Sequence, residues 1–166
     1  QDALGGHALR GHALDEAVDW VFAWRGSANV LLSIIKLVED SLNVDRDIQL
    51  ASIGTAIVIE DSVEHYSTLL PYLYAKLMQR TFSLVPEGIN ENDRQLRTRV
   101  RPKVLLARTF EEAERLFNKY ENSLVGIISD LRTFSDDRVD PAAGERFLRG
   151  VIARSPGMPI LLQSDE

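Results

Sequence analysis

Three apolar runs, each ending in polar or acidic residues, constrain this chain more than any other feature. Ile53–Ile59 is apolar on both faces, as a central strand of a parallel sheet must be, and ends in Glu60-Asp61. Leu124–Ser129 ends in Asp130, and Pro159–Leu162 ends in Gln163-Ser164. In an open parallel sheet all strand C-termini reach one edge, where ligands bind. Three carboxylates and a hydroxyl would then meet at one spot.

Helical patterns fill the intervals. Leu31, Ile34, Ile35, Val38 and Leu42 recur at helical spacing on one face, with Ser27 as a cap and residues 43–52 as a polar connection. Ser62 caps a long helix whose face carries Val63, Tyr66, Leu70, Leu73 and Leu77, with Pro71 expected to kink it. Val104–Ala107 reads as a strand. Thr109 and Glu112 form a capping box before a helix burying Phe110, Ala113, Leu116, Phe117 and Tyr120. Asp140-Pro141 starts a helix striped by Phe147, Leu148, Val151 and Ile152. Upstream, Val18–Trp24 reads as a short aromatic strand. Strand and helix alternate five times, which predicts an α/β fold, a doubly wound parallel sheet with helices on both faces.

Composition excludes several classes. A net charge of −6 argues against a nucleic-acid surface, and the absence of cysteine excludes disulfides and thiolate metal sites. The longest apolar stretch, near Val30–Val38, is broken by Ser33 and Lys36, so no membrane span is expected. No signal peptide is visible, and a cytoplasmic protein is the expectation. A chain opening on Gln1 reads as a piece of a longer one. His7, His12 and His65 match no ligand spacing, and Trp20 and Trp24 read as core or interface residues.

The acidic strand ends carry the chemistry. Mg²⁺ is held by one or two carboxylates together with water and phosphate oxygens, and Glu60, Asp61 and Asp130 supply such oxygens. Crowded carboxylates repel one another, and a bound cation relieves that repulsion. An aspartate beside the cation can attack a phosphoryl group to give an acyl phosphate, and the Ser164 hydroxyl can bond one of its oxygens. Each carboxylate alone could equally be a helix cap; their placement at successive strand ends favours a shared site.

The runs Ile57-Val58-Ile59-Glu60-Asp61-Ser62, Ile127-Ile128-Ser129-Asp130-Leu131-Arg132 and Pro159-Ile160-Leu161-Leu162-Gln163-Ser164 resemble the receiver domain of bacterial response regulators. The stretch from Tyr66 through Lys103 and Leu106, with Gly126–Asp130, further resembles receiver-like modules of large proteins that also carry a phosphoenolpyruvate-synthase-related domain. The resemblance covers residues 53–166 and implies a flavodoxin-like sheet. It implies Asp130 as phosphoacceptor, Glu60 and Asp61 as the pair holding Mg²⁺ with Asp130, and Ser164 as the switch hydroxyl. Gly144 resembles the glycine after the phosphoacceptor loop.

The implied protein is a regulatory module of two-component signal transduction rather than a turnover enzyme. Its partners would be a histidine kinase or other phosphodonor protein, neighbouring domains of a larger chain, and a second copy in a homodimer, with no nucleic acid and no membrane. The expected organisation is a flexible N-terminal segment over 1–14, a strand–helix unit over 15–52 resembling the end of a receiver, and a receiver-like domain over 53–166 lacking its own fifth strand.

The family's lysine at the end of strand five has no counterpart here, because the chain stops at Glu166 and Ala23-Trp24 stand where the upstream unit would carry a Lys-Pro pair. Val18–Trp24 could complete the sheet by permutation or by domain swapping. Asp165 stands beside Ser164, and the 61–104 segment is long for a receiver. Its basic run, Arg94, Arg97, Arg99, Arg101 and Lys103, is expected on a solvated or partner-facing surface. The alternative is a pseudo-receiver, an interaction or dimerisation module without phosphorylation, associating through the Ser62–Leu84 helix or the aromatic strand. A haloacid-dehalogenase-type phosphohydrolase ranks last, since Arg132 stands where its second aspartate belongs.

Overall fold

The structure is a computed structural model that describes residues 18–83, 101–130 and 143–163. In chain order it contains α1 (Asn29–Ala51), β1 (Thr55–Ile59), α2 (Val63–Ser83), β2 (Lys103–Ala107), α3 (Phe110–Tyr120), β3 (Leu124–Asp130), α4 (Ala143–Arg154) and β4 (Ile160–Gln163). A single 3₁₀ turn, Glu121–Ser123, joins α3 to β3. The four strands form one all-parallel sheet in the order β2-β1-β3-β4. This is an α/β fold, consistent with a flavodoxin-like sheet over its first four strands. Among the described residues, no helix is long and apolar enough to cross a membrane.

The pleat of β1 explains the core. Ile57 and Ile59 face one way and join Ala107, Phe110, Phe117, Ile127 and Val151 beneath α3 and α4. Val58 faces the other way and joins Leu37, Tyr66, Leu70, Tyr74 and Val104 beneath α1 and α2. Ile57, Val58 and Ile59 are all fully buried. A two-residue side-chain period across a doubly covered strand requires an apolar run.

Most helix signals act as their chemistry dictates. The Thr109 hydroxyl accepts from the Glu112 amide at 3.1 Å, and the Glu112 carboxylate accepts from the Arg108 amide at 2.7 Å. The Ser62 hydroxyl accepts from the His65 amide at 3.3 Å at the head of α2. That helix runs on through Pro71 to Ser83. On α4, Leu148 and Val151 are buried and Phe147 packs against the core, but Ile152 is exposed. Gly144 lies buried in the first turn of α4; Asp140-Pro141 falls outside the described residues.

Three expectations are corrected. Val18–Trp24 forms no strand and pairs with none among the described residues, so it supplies no fifth strand to the described sheet. Two of its backbone groups meet side chains of α2 instead: the Ala23 amide donates to the Ser67 hydroxyl at 2.9 Å, and the Tyr66 hydroxyl donates to the Val21 carbonyl. Phe22 packs edge-on against Tyr66, with centroids 5.4 Å apart. Ladder bonding is thereby replaced by mooring across a helix.

Second, α1 does not stop at Leu42 but continues to Ala51, and it buries a different face. Val30, Leu37 and Val44 are buried with Ser33 and Asp40, whereas Leu31, Ile35, Val38 and Leu42 are exposed. Third, Arg101 and Lys103 of the basic run are not surface residues. Arg101 is 2% and Lys103 1% exposed. Arg94, Arg97 and Arg99 lie outside the described residues.

The second and third corrections have one cause. Asp40, fully buried on the inner face of α1, accepts both guanidinium nitrogens of Arg101 at 2.7 Å. It also accepts from the Val104 amide at 3.0 Å and the Tyr74 hydroxyl at 3.2 Å. Lys103 stands 3.6 Å from Asp40 and 2.6 Å from Asp47. The Arg101 guanidinium also lies over the Tyr74 ring. Burial first, and then the Asp40 charge, drive the Tyr74 hydroxyl far above its ordinary pKa. The charged residues turn inward because each finds an opposite charge and hydrogen bonds there.

Candidate metal and phosphoryl site

The sheet brings the three predicted carboxylates together. Glu60 and Asp61 follow β1, Asp130 closes β3, and these two strands are neighbours. Glu60, Asp61 and Asp130 each offer a carboxylate oxygen within 4.8 Å of the others. In the strand order β2-β1-β3-β4, β1 has its successor β2 on one side and β3 on the other, so the cluster sits where the strand order changes sides. Open α/β sheets bind ligands at such a point. Ser164 lies outside the described residues.

Glu60 is the anchor. Its amide donates to the Ala107 carbonyl at 3.0 Å, extending the β1–β2 ladder by one residue. Its side chain is 1% exposed and accepts from the Ser62 amide at 3.0 Å. Gln163, paired in register with Asp130, reaches past the end of β3 and donates its amide to the other Glu60 oxygen at 2.8 Å. His65 Nδ1 stands 3.7 Å from Glu60. Asp61 and Asp130 are half-buried and face more water.

Burial pushes the Glu60 carboxyl above its ordinary pKa range. The Ser62 amide works against that rise, the Asp130 charge adds to it, His65 opposes it, and Asp61 adds again. A raised folded-state pKa means that stability from this group is full below its usual value and lost as pH rises through the raised one. Ionising Glu60 therefore costs the folded chain, and a cation bound beside it would relieve that cost. Three oxygen donors with no nitrogen or sulfur suit a hard divalent cation such as Mg²⁺.

This leads to a stability prediction. Glu60→Gln keeps an acceptor for the Ser62 amide, and Gln163 can turn its amide to pair with the new one. In metal-free buffer at neutral pH the variant is expected to melt about 2–4 °C higher than the parent chain. Excess Mg²⁺ should raise the melting point of the parent and not of the variant. A variant that melts lower in metal-free buffer would show that the buried charge is not a cost.

Beside the cluster lies an open cleft of ≈ 780 Å³, lined by Arg25, Glu60, His65, Tyr72, Asp130 and Gln163 among others. Arg25 and Gln163 are among the lining residues that escaped the sequence reading. Gln163 stood next to the nominated Ser164, and its position at the end of a strand was the available signal. Arg25 carried no signal, since only the mooring of residues 18–24 along α2 brings it to the cleft. Arg25 is exposed, and it supplies a cation at the mouth of an acidic site.

The chain matches no family model, no curated protein and no solved structure.

Proposed function

We propose that this chain is a receiver-like regulatory module whose Asp130 accepts a phosphoryl group beside Mg²⁺ held by Glu60, Asp61 and Asp130. One observation carries the reading: three carboxylates from two adjacent parallel strands converge where the strand order changes sides, with the most buried of them held by Ser62 and Gln163. In the same reading the sheet is doubly wound and flavodoxin-like, as the strand order and the core clusters on alternate residues of β1 support. The phosphodonor is a histidine kinase or a similar protein in a cytoplasmic two-component pathway.

In the transfer, an Asp130 carboxylate oxygen attacks phosphorus. The donor's bond to phosphorus breaks, and the leaving group departs with the electron pair. Mg²⁺ held by Glu60, Asp61 and Asp130 would supply positive charge to the phosphoryl oxygens. Glu60 and Asp61 fix the cation's place, and Glu60 is itself immobile because its amide is part of the sheet ladder. Gln163 holds Glu60 while Asp130 remains the more accessible nucleophile. Arg25 stands where an incoming anion enters the cleft.

Incubation with Mg²⁺ and a small-molecule phosphodonor such as acetyl phosphate tests the reading. One phosphoryl group should be added per chain, in acid-stable and base-labile form, and chelation should prevent it. Asp130→Asn is expected to abolish labelling. Equal labelling of that variant, or labelling indifferent to chelator, would refute the assignment.

A further inference from the structure

Residues 18–25 run along α2 without joining the described sheet, and they end at the acidic cleft. Adjacent residues of α2 hold them: the Tyr66 hydroxyl bonds Val21, the Tyr66 ring packs on Phe22, and the Ser67 hydroxyl bonds Ala23. The same helix walls the cleft with His65, Thr68 and Tyr72. One rigid element therefore carries both the segment and a side of the cleft. Past Ala23 the hold ends. Trp24 is 60% exposed, and Arg25 makes no hydrogen bond or ion pair among the described residues. Gly26 follows at a φ of +79°, with nothing within 4 Å of where a Cβ would stand. A glycine there turns the chain toward α1 at no steric cost. Trp24-Arg25 is thus a short tip between a fixed point and a pivot.

We propose that this segment is a strap, and that Arg25 at its tip binds the phosphoryl group on Asp130 and closes the cleft over it. The proposal rests on the reading of Asp130 as phosphoacceptor. Charge supports it. Among the described residues lining the cleft, Arg25 is the only permanent cation, set against Glu60, Glu64 and Asp130. Once the carboxylates are engaged by a divalent cation, they leave Arg25 little to pair with. A phosphoryl group changes that balance. It carries roughly −1.5 to −2 of charge on three acceptor oxygens, and it extends from Asp130 into the cleft that Arg25 lines. A guanidinium fork meets two such oxygens at once. The anchors at Val21, Phe22 and Ala23 stay as they are, because only the tip has to move.

Trp24 and the peptide bond after Arg25 report the closure. The chain has two tryptophans, so Trp20→Phe leaves Trp24 as the sole indole. That chain is incubated with Mg²⁺ and acetyl phosphate, and its phosphorylated fraction is counted by mass. Acrylamide quenching of Trp24 is expected to fall by roughly twofold on phosphorylation, and tryptic cleavage after Arg25 to slow by roughly fivefold. Cleavage is followed on the unsubstituted chain as well, so the result does not hang on the Trp20 substitution. Mg²⁺ alone should produce neither change. At equal phosphorylated fraction, Arg25→Gln should lose the quenching response. Arg25→Lys should keep part of it, since lysine retains the charge and lacks the fork.

A chain phosphorylated on Asp130 with quenching and cleavage unaltered overturns the strap and leaves the phosphoacceptor reading intact. So does a quenching response that survives in Arg25→Gln, or one that Mg²⁺ alone produces in full. A chain that takes up no phosphoryl group refutes both.

Discussion

Asp40→Ala is expected to cost the fold about 3–5 kcal/mol, measured by urea unfolding at neutral pH. The loss follows from what remains behind. Arg101 and Lys103 are almost fully buried, and without Asp40 the guanidinium loses two charge-assisted bonds. The Val104 amide and the Tyr74 hydroxyl lose their acceptor at the same time. Typical domains hold only about 5–15 kcal/mol in total, so the variant should be near the limit of folding. Replacing Asp40 and Arg101 together by leucine and methionine should recover the part of the loss due to the stranded guanidinium, while the Val104 amide and Tyr74 hydroxyl still lack their acceptor. A single variant losing under about 1 kcal/mol would mean that water reaches this network.

The second large effect is at Tyr66. It is 1% exposed, packs edge-on with Phe22 and carries the hydroxyl that bonds to Val21. Tyr66→Ala should cost about 3–5 kcal/mol through the cavity it leaves against Val58 and Leu70. Tyr66→Phe removes only the hydroxyl and should cost about 1 kcal/mol. The milder variant has a sharper readout. It loosens the segment that carries Arg25, so tryptic cleavage after Arg25 should accelerate while global unfolding hardly changes. Unaltered cleavage would mean that the Ala23–Ser67 bond holds the segment alone.

The sheet was legible because its signals are local. Apolar runs such as Ile57–Ile59 and the Thr109–Glu112 box encode their states within a few residues. The acidic cluster was legible for a related reason: strand ends of a parallel sheet share one edge, so Glu60, Asp61 and Asp130 could be placed together without coordinates. What failed was non-local. Asp40 on a helix reads as a solvent-facing residue until Arg101, far along the chain, is known to reach it. The sequence pattern put Leu31, Ile34, Ile35, Val38 and Leu42 on one apolar face, whereas the face that α1 buries carries Val30, Ser33, Leu37, Asp40 and Val44. Val18–Trp24 failed differently. Its β-prone composition describes an extended backbone, and composition does not say whether another strand or a helix's hydroxyls satisfy it. Arg25 and Gln163 depend on those same tertiary arrangements.

The Asp40–Arg101 bond also fixes an order of events. Its partners are 61 positions apart in sequence, and Arg101 and the Val104 amide are in place only once β2 lies beside β1. Closing so long a loop is entropically unfavourable until the intervening sheet has formed. α1 is therefore expected to dock onto a sheet already built, with its contacts contributing little to the rate-limiting barrier. The kinetic signature of an Asp40 variant is faster unfolding at a nearly constant folding rate. On that expectation the half-life of the native state is tuned at the buried charge of α1 rather than in the strands that carry the acidic site.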